Sequence, residues 1–303
     1  GDSEILTNAG DITAGSAGFV VDGDATTLQN SGNITVTATN ARAISVAGSA
    51  TTLDNSGTIT SAGHGIMVAG DVGSFTNSGT ITTTGGENTA AVRVLGKVTG
   101  SVLNSGTVSS NAGGVEIIGA VAGDVTNTGK IEAVSTGLAF VGAGTGNLVN
   151  SGTIVATESA ALQVGGSIKD ITNSGTISGT AGVMVFGEVT GTLTNSGTIT
   201  ATGPDGGINV SGSVAGAVTN SGTITAAGSG VIVSGSVGGD LTNSGTISGG
   251  LSTGGVRNSS IVFSGGNNFI TFANPTSGLT GAVSVAGTLT FNQTTDSTLA
   301  EVI

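Results

Sequence analysis

The sequence contains no cysteine, no tryptophan and no tyrosine, and among its 303 residues only two are proline and one is histidine. Each absence closes off a class of chemistry. Without cysteine there is no disulfide staple, no thiol nucleophile and no cysteine-built zinc site. In a secreted chain it also means that nothing crosslinks early while the chain crosses a membrane unfolded. Eight phenylalanines are the whole aromatic complement, which leaves few rings for stacking on sugars. Charged residues make up 8% of the chain, so it is not a disordered polyelectrolyte. The 18 acidic and 6 basic residues give a net charge of −12. That balance argues against nucleic acid and anionic lipid as partners, because both are held by basic patches. No apolar run is long enough for a membrane-spanning helix, so this chain is not expected to insert into a membrane. The opening GDSEILTNAG has neither a basic n-region nor an apolar h-region. Any signal peptide is therefore expected to have been removed already.

What the sequence does contain is glycine, 57 of them, set among Ser, Thr, Ala, Val and Asn. β-branched residues with glycine and almost no proline favour strands joined by tight turns. One phrase recurs: LTNSGTIT at 193–200, VTNSGTIT at 218–225 and LTNSGTIS at 241–248. Its asparagines fall at 8, 30, 55, 77, 104, 127, 150, 173, 195, 220 and 243, with steps of 22, 25, 22, 27, 23, 23, 23, 22, 25 and 23. A period in the twenties marks a solenoid, in which one coil cannot bury its apolar face alone. The interval from each Asn to the next Ile or Val is fixed at four residues, as from Asn55 to Ile59 and from Asn220 to Ile224. Length varies after it, in stretches 35–43, 82–91 and 200–207, so insertions collect at one corner of the coil.

Parity gives the rest. From Ile208, the even positions Val210, Gly212, Val214, Gly216, Val218 and Asn220 point inward, and the odd positions Asn209, Ser211, Ser213, Ala215, Ala217 and Thr219 point outward. Six of the ten coils closing at Asn30 to Asn243 keep this register. The other four are one residue shorter there, which predicts a bulge or a tighter corner in one class. The expected fold is all-β, a right-handed parallel β-helix of about 23 residues and three short strands per coil. Eleven coils would make a rod on the order of 50 Å long. Parallel stacking places Asn30, Asn55, Asn77, Asn104, Asn127, Asn150, Asn173, Asn195, Asn220 and Asn243 in one column, which predicts an Asn ladder of stacked amides. The glycine after each Asn-Ser is expected to turn the corner with a positive φ. Residues 1–250 form the NSGT-repeat section. Residues 251–303 lack the phrase and hold Phe263, Phe269, Phe272, Phe291 and Pro275, so they read as a differently built terminal β section of the same solenoid.

The TNSGTIT coils followed by GGNNFITF and TGAVSVAGTLTF resemble the passenger regions of bacterial autotransporter-type surface proteins. The resemblance covers nearly the whole chain and is specific for architecture rather than activity. It implies a right-handed β-helix exported to the cell surface or the extracellular space. The family's signal peptide and C-terminal membrane β-barrel do not occur in this sequence. It would thus correspond to a processed passenger, a shortened chain, or a relative that assembles without its own barrel.

Catalytic readings are weak. GLSTG at 250–254 matches the G-x-S-x-G string, but the one histidine, His64, lies eight coils from Ser252, far beyond hydrogen-bond reach of about 3 Å. Asp124, Asp170 and Asp240 share an outward column but never sit on adjacent coils. Arg93 and Glu116 do, which predicts a surface ion pair. Asp22 and Asp24 resemble half a calcium loop without the further ligands. GAGTG at 142–146 is followed by a strand pattern, not a nucleotide-binding helix. No enzyme activity, cofactor or metal is expected.

Two functions remain, with a polysaccharide-active β-helix enzyme as a remote alternative. One is an adhesin or display stalk with binding loops at the variable corner. The other is a subunit that self-associates into a fibre or layer. The chain opens directly into a coil and closes on LAEVI with no capping helix. Copies would therefore stack end to end unless neighbouring sequence covers the ends. The expected partners are further copies of itself or host and cell-surface ligands. The expected interaction face is an outward apolar column of Leu95, Ile118, Val141 and Phe186, interrupted by Gly165. Met67, Ala139 and Met184 are placed in the neighbouring outward column with Arg93 and Glu116.

Overall fold

The strand Thr198–Ala201 contains the rule for the whole chain: Ile199 and Ala201 are buried and Thr198 and Thr200 face outward. A pleated strand alternates its side chains, so one aliphatic residue per leg suffices to fix which face goes in. In the computed structural model, which describes residues 2–252, 254–265, 267–272, 278–286 and 288–293, every regular element is a β-strand. The chain forms two units, Gly1–Glu158 and Ser159–Ile303, and each is a parallel β-solenoid with three main strands per coil.

In the first unit each leg pairs in register with the same leg one coil on. Leu53 lies over Phe75 on the leg that ends in Asn, Ile59 over Ile81 on the leg that begins with Thr, and Ile66 over Val92 on the third leg. All six side chains are almost fully buried. The second unit repeats the arrangement with Leu193 against Val218, Ile199 against Ile224 and Val183 against Ile208. A single coil would expose these aliphatic groups to water, each worth about 1.5–3 kcal/mol when buried, so the coils are stable only as a stack.

The corner glycines differ from expectation. None in the N-S-G phrase has a positive φ; among the described glycines only Gly206, Gly255 and Gly281 do. The reason for glycine is close approach. A Cβ on Gly79 would overlap the carbonyl oxygen of Gly57, and a Cβ on Gly57 would overlap that of Gly32. Backbone rests on backbone along this edge, and any side chain would force the coils apart.

The leg before each Asn also differs between coils. Ala25–Asn30, Ala50–Asn55 and Val72–Asn77 are unbroken six-residue strands. These are three of the four shorter coils. In the coils with the extra residue the leg breaks: Val98 makes an isolated bridge with Val121, and the strand resumes only at Val102–Asn104. In the second unit these breaks align into a small fourth sheet of Ser167–Ile168, Glu188–Val189, Ser213–Val214 and Ser236–Val237. The leg ending at Asn173, which lacks the extra residue, breaks as well between Ile168 and Ile171, so the longer coils kink at their small residues without bulging, but length alone does not set the break.

The Asn column ends at Asn243, whose register partner one coil on is Phe272. There the strands lengthen, with Asn267–Phe272 pairing along Thr288–Gln293. Phe263 is buried in register with Val233, whereas Phe269 is exposed. Pro275 and the closing LAEVI lie outside the described residues.

Candidate functional site

The asparagines of the repeated phrase form a continuous amide chain within each unit. In the first, Nδ2 of Asn8, Asn30, Asn55, Asn77, Asn104 and Asn127 donates to Oδ1 of the Asn one coil on at 2.7–2.8 Å. In the second, Asn173, Asn195 and Asn220 do the same toward Asn195, Asn220 and Asn243. The second amide proton reaches the glycine carbonyl two residues on, as from Asn127 to Gly129 at 3.3 Å. The backbone carbonyl of each Asn takes two N–H groups from the next coil, as Asn30 does from Ser56 at 2.8 Å and Gly57 at 3.0 Å. All donors point one way, so the amides polarise one another along the stack. With its side-chain amides paired along each stack, this ladder is structural and presents nothing to a ligand.

The apolar column is different. Leu95, Ile118 and Val141 each follow an inward residue, Val94, Ile117 and Phe140, which pair coil to coil. Their amides donate to Val68, Val94 and Ile117 at 2.9, 2.8 and 2.9 Å, so the column is held at fixed spacing. The three side chains are 39%, 38% and 43% exposed. Phe186, 48% exposed, belongs to the second unit, where Gly165 and Ser211 occupy its column in the coils on either side. The first unit therefore holds three consecutive exposed aliphatics, and the second holds a single ring. In the adjoining column Met67 is half-buried beside Arg93, whereas Ala139, which parity points outward, is only 8% exposed beside Glu116.

At the start of the same leg, ahead of the strand Ala90–Val94, stands the longest insertion of the first unit, residues 84–89. It is pinned rather than loose. Arg93 Nη1 donates to the Asn88 carbonyl at 2.9 Å while its Nε bonds Glu116 Oε2 at 2.7 Å. Thr89 Oγ1 donates to the Gly86 carbonyl at 2.7 Å, and Asn88 takes φ 65°, a value asparagine tolerates. His64 holds the loop's exit, its Nδ1 accepting the Ala90 N–H at 3.1 Å. Partial burial, then the Arg93 guanidinium and more weakly Arg42, hold the imidazole below its ordinary value of 6.5; Glu116 opposes them.

The residues considered for catalysis do not assemble a site. His64 lies in the first unit and Ser252 in the second, where Ser252 Oγ accepts the Val256 N–H at 3.2 Å within a turn. Asp24 is a backbone cap: its Oδ1 accepts the Ser49 N–H at 2.7 Å. Asp71, Asp124 and Asp170 do the same for Lys97, Asn147 and Thr192 at 2.8, 2.8 and 2.7 Å. This capping was missed in sequence. Its signal is a side-chain acceptor recurring at one corner of successive coils, since Asp2 caps Asp24 at 3.1 Å and the Ser49 hydroxyl caps Asp71 at 3.2 Å in the same way. No cluster of three or more His, Asp or Glu suited to a metal occurs among the described residues. Comparison with protein-family models, with curated proteins and with solved structures finds no match, so the chain's own geometry carries the functional argument.

Proposed function

We propose that this protein is a non-enzymatic adhesive or display solenoid of the bacterial cell surface or extracellular space, with the first unit's apolar column as its contact surface. The observation that carries the reading is the run of Leu95, Ile118 and Val141 on three successive coils, exposed and held at fixed spacing by the backbone ladder. Scattered exposed aliphatics are ordinary, but an aligned run on a rigid backbone is the form an interaction surface takes. The likeness of the TNSGTIT coils to autotransporter-type passengers and the absence of cysteine support a location outside the cell.

The same column would serve lateral contact between copies, which favours as a second reading a subunit of a fibre or surface layer. Sedimentation velocity with negative-stain electron microscopy separates the two. Lateral assemblies that dissolve in the variant Leu95→Ser/Ile118→Ser/Val141→Ser support the fibre. Single particles that bind cell surfaces through the column support the adhesin. Equal behaviour of parent and variant in both assays removes the column from the account.

A further inference from the structure

The leg that begins with Thr carries a second surface unlike the apolar column. In the second unit its strands are Thr176–Gly179, Thr198–Ala201, Thr223–Ala226 and Thr246–Ser248, paired in register. Two outward ranks result. One is Thr176, Thr198, Thr223 and Thr246, and the other is Ser178, Thr200, Thr225 and Ser248. The first unit repeats the pattern over three coils, with Thr58, Thr80 and Thr107 beside Thr60, Thr82 and Ser109. It ends there at an ion pair, Lys130 to Glu132 at 2.7 Å.

Three further observations bear on what this face could bind. The hydroxyls of Thr198, Thr200, Thr223, Thr225 and Thr246 have no hydrogen-bond partner among the described residues. At the corners several threonine hydroxyls turn back onto the backbone instead, as Thr190 does to Ile168 and Thr202 to Gly179. The four strands of the second unit carry no charged residue, although the chain's net charge is −12. Finally, the Asn-to-Ile interval stays at four residues in coils whose total length runs from 22 to 27, so every insertion spares this face.

Coils stack about 4.8 Å apart, and alternate residues of a strand lie about 6.6 Å apart. The face is thus a rectangular grid of methyl and hydroxyl groups, each hydroxyl able to donate one hydrogen bond and accept two. A protein partner would want a buried aromatic or charged anchor, and the grid offers neither. Its occupant should be neutral, rigid and periodic on the same scale. Ordered water meets all three conditions: the grid repeats are close to the oxygen spacings along the two perpendicular axes of the prism face of hexagonal ice. Methyl groups would hold water in cages between the ranks while the hydroxyls take lattice positions. The backbone ladders already fix the grid, so little ordering cost remains.

We propose that the threonine face adsorbs to ice, an activity separate from the apolar column. The test is thermal hysteresis and crystal shape for the purified full chain, with an inert globular protein at equal molarity as reference. The parent should facet growing crystals and open a hysteresis gap. Thr82→Lys/Thr225→Lys places one charge in the middle of each unit's rank and should abolish both effects. Thr76→Lys/Thr219→Lys adds the same charges on the leg ending in Asn and should preserve them. Circular dichroism and melting establish that both variants fold. Should the first not fold, Thr82→Ser/Thr225→Ser keeps the hydroxyls, removes the methyls and should narrow the gap. Round, unfaceted crystals with the parent would overturn the proposal, as would equal loss in the variants of the two faces.

Discussion

Replacing Asn127 by Asp tests the direction of the amide ladder. Asn127 accepts from Asn104 at 2.7 Å and donates to Asn150 at 2.8 Å, and its own side chain is 1% exposed. A carboxylate keeps the first bond. It cannot make the second, and it sets an anionic oxygen against the Asn150 carbonyl oxygen in a site shut off from water. Burial without a cation raises a carboxyl's pKa, by up to about 3–5 units when complete. The sign follows: the folded value lies above the unfolded value near 3.9, so the variant loses stability as pH rises from about 4. If the folded value reaches 7, the cost at pH 7 is about 4 kcal/mol, from three units at about 1.36 kcal/mol each. At pH 4 the protonated acid can donate to Asn150 and the deficit should nearly vanish. Asn127→Ala removes donor and acceptor together, leaves Asn150 Oδ1 short of a partner, and should cost about 1–3 kcal/mol independent of pH. Urea unfolding of parent and both variants between pH 4 and pH 8 measures this. A variant Asn127→Asp as stable as the parent at pH 7, or equally weakened at every pH, would refute the ladder's polarity.

Gly79→Ala should destabilise by more than about 2 kcal/mol because its Cβ meets the Gly57 carbonyl, whereas Gly10→Ala, with open space around it, should be neutral or gain about 0.4–1 kcal/mol; thermal melts compare them. His64 has a folded pKa below 6.5, so the stability it contributes is present above that pH and is lost as pH falls toward the folded value. Protonation also sets an N–H against the Ala90 N–H, so exchange of that amide in NMR should quicken on acidification in the parent and lose this pH step in His64→Gln. A double-mutant cycle on Arg93 and Glu116 should return a coupling of about 1 kcal/mol or less, while Arg93→Ala alone should speed proteolysis within residues 84–89 by releasing Asn88.

The parts of the fold that were legible in sequence are those with one obligatory residue per coil at a fixed offset. Asn55 and Ile59, or Asn220 and Ile224, recur because each must meet its own image one coil away, and that demand leaves a period. Other features hid because two physical causes write the same letter. Gly57 reads equally as a left-handed turn or as backbone stacked on backbone, and only the geometry distinguishes them. The break between Val98 and Val102 hid because an added small residue can bulge a strand or kink it. The Asp caps hid because their partners are main-chain amides, which have no letter. Phe186 was legible as an outward residue, as were Gly165 and Ser211 on either side of it, which together leave it a single ring.

The absence of cysteine allows the proposed contact surface to be probed directly, since a dye attached through Ile118→Cys labels one position only. An environment-sensitive fluorophore there should shift to the blue when copies are concentrated or cell surfaces are added, and the same fluorophore attached through Thr194→Cys, on the leg ending in Asn, should not. A shift at both positions, or at neither under any condition, would contradict the assignment of the Leu95, Ile118 and Val141 column as the surface through which this protein acts.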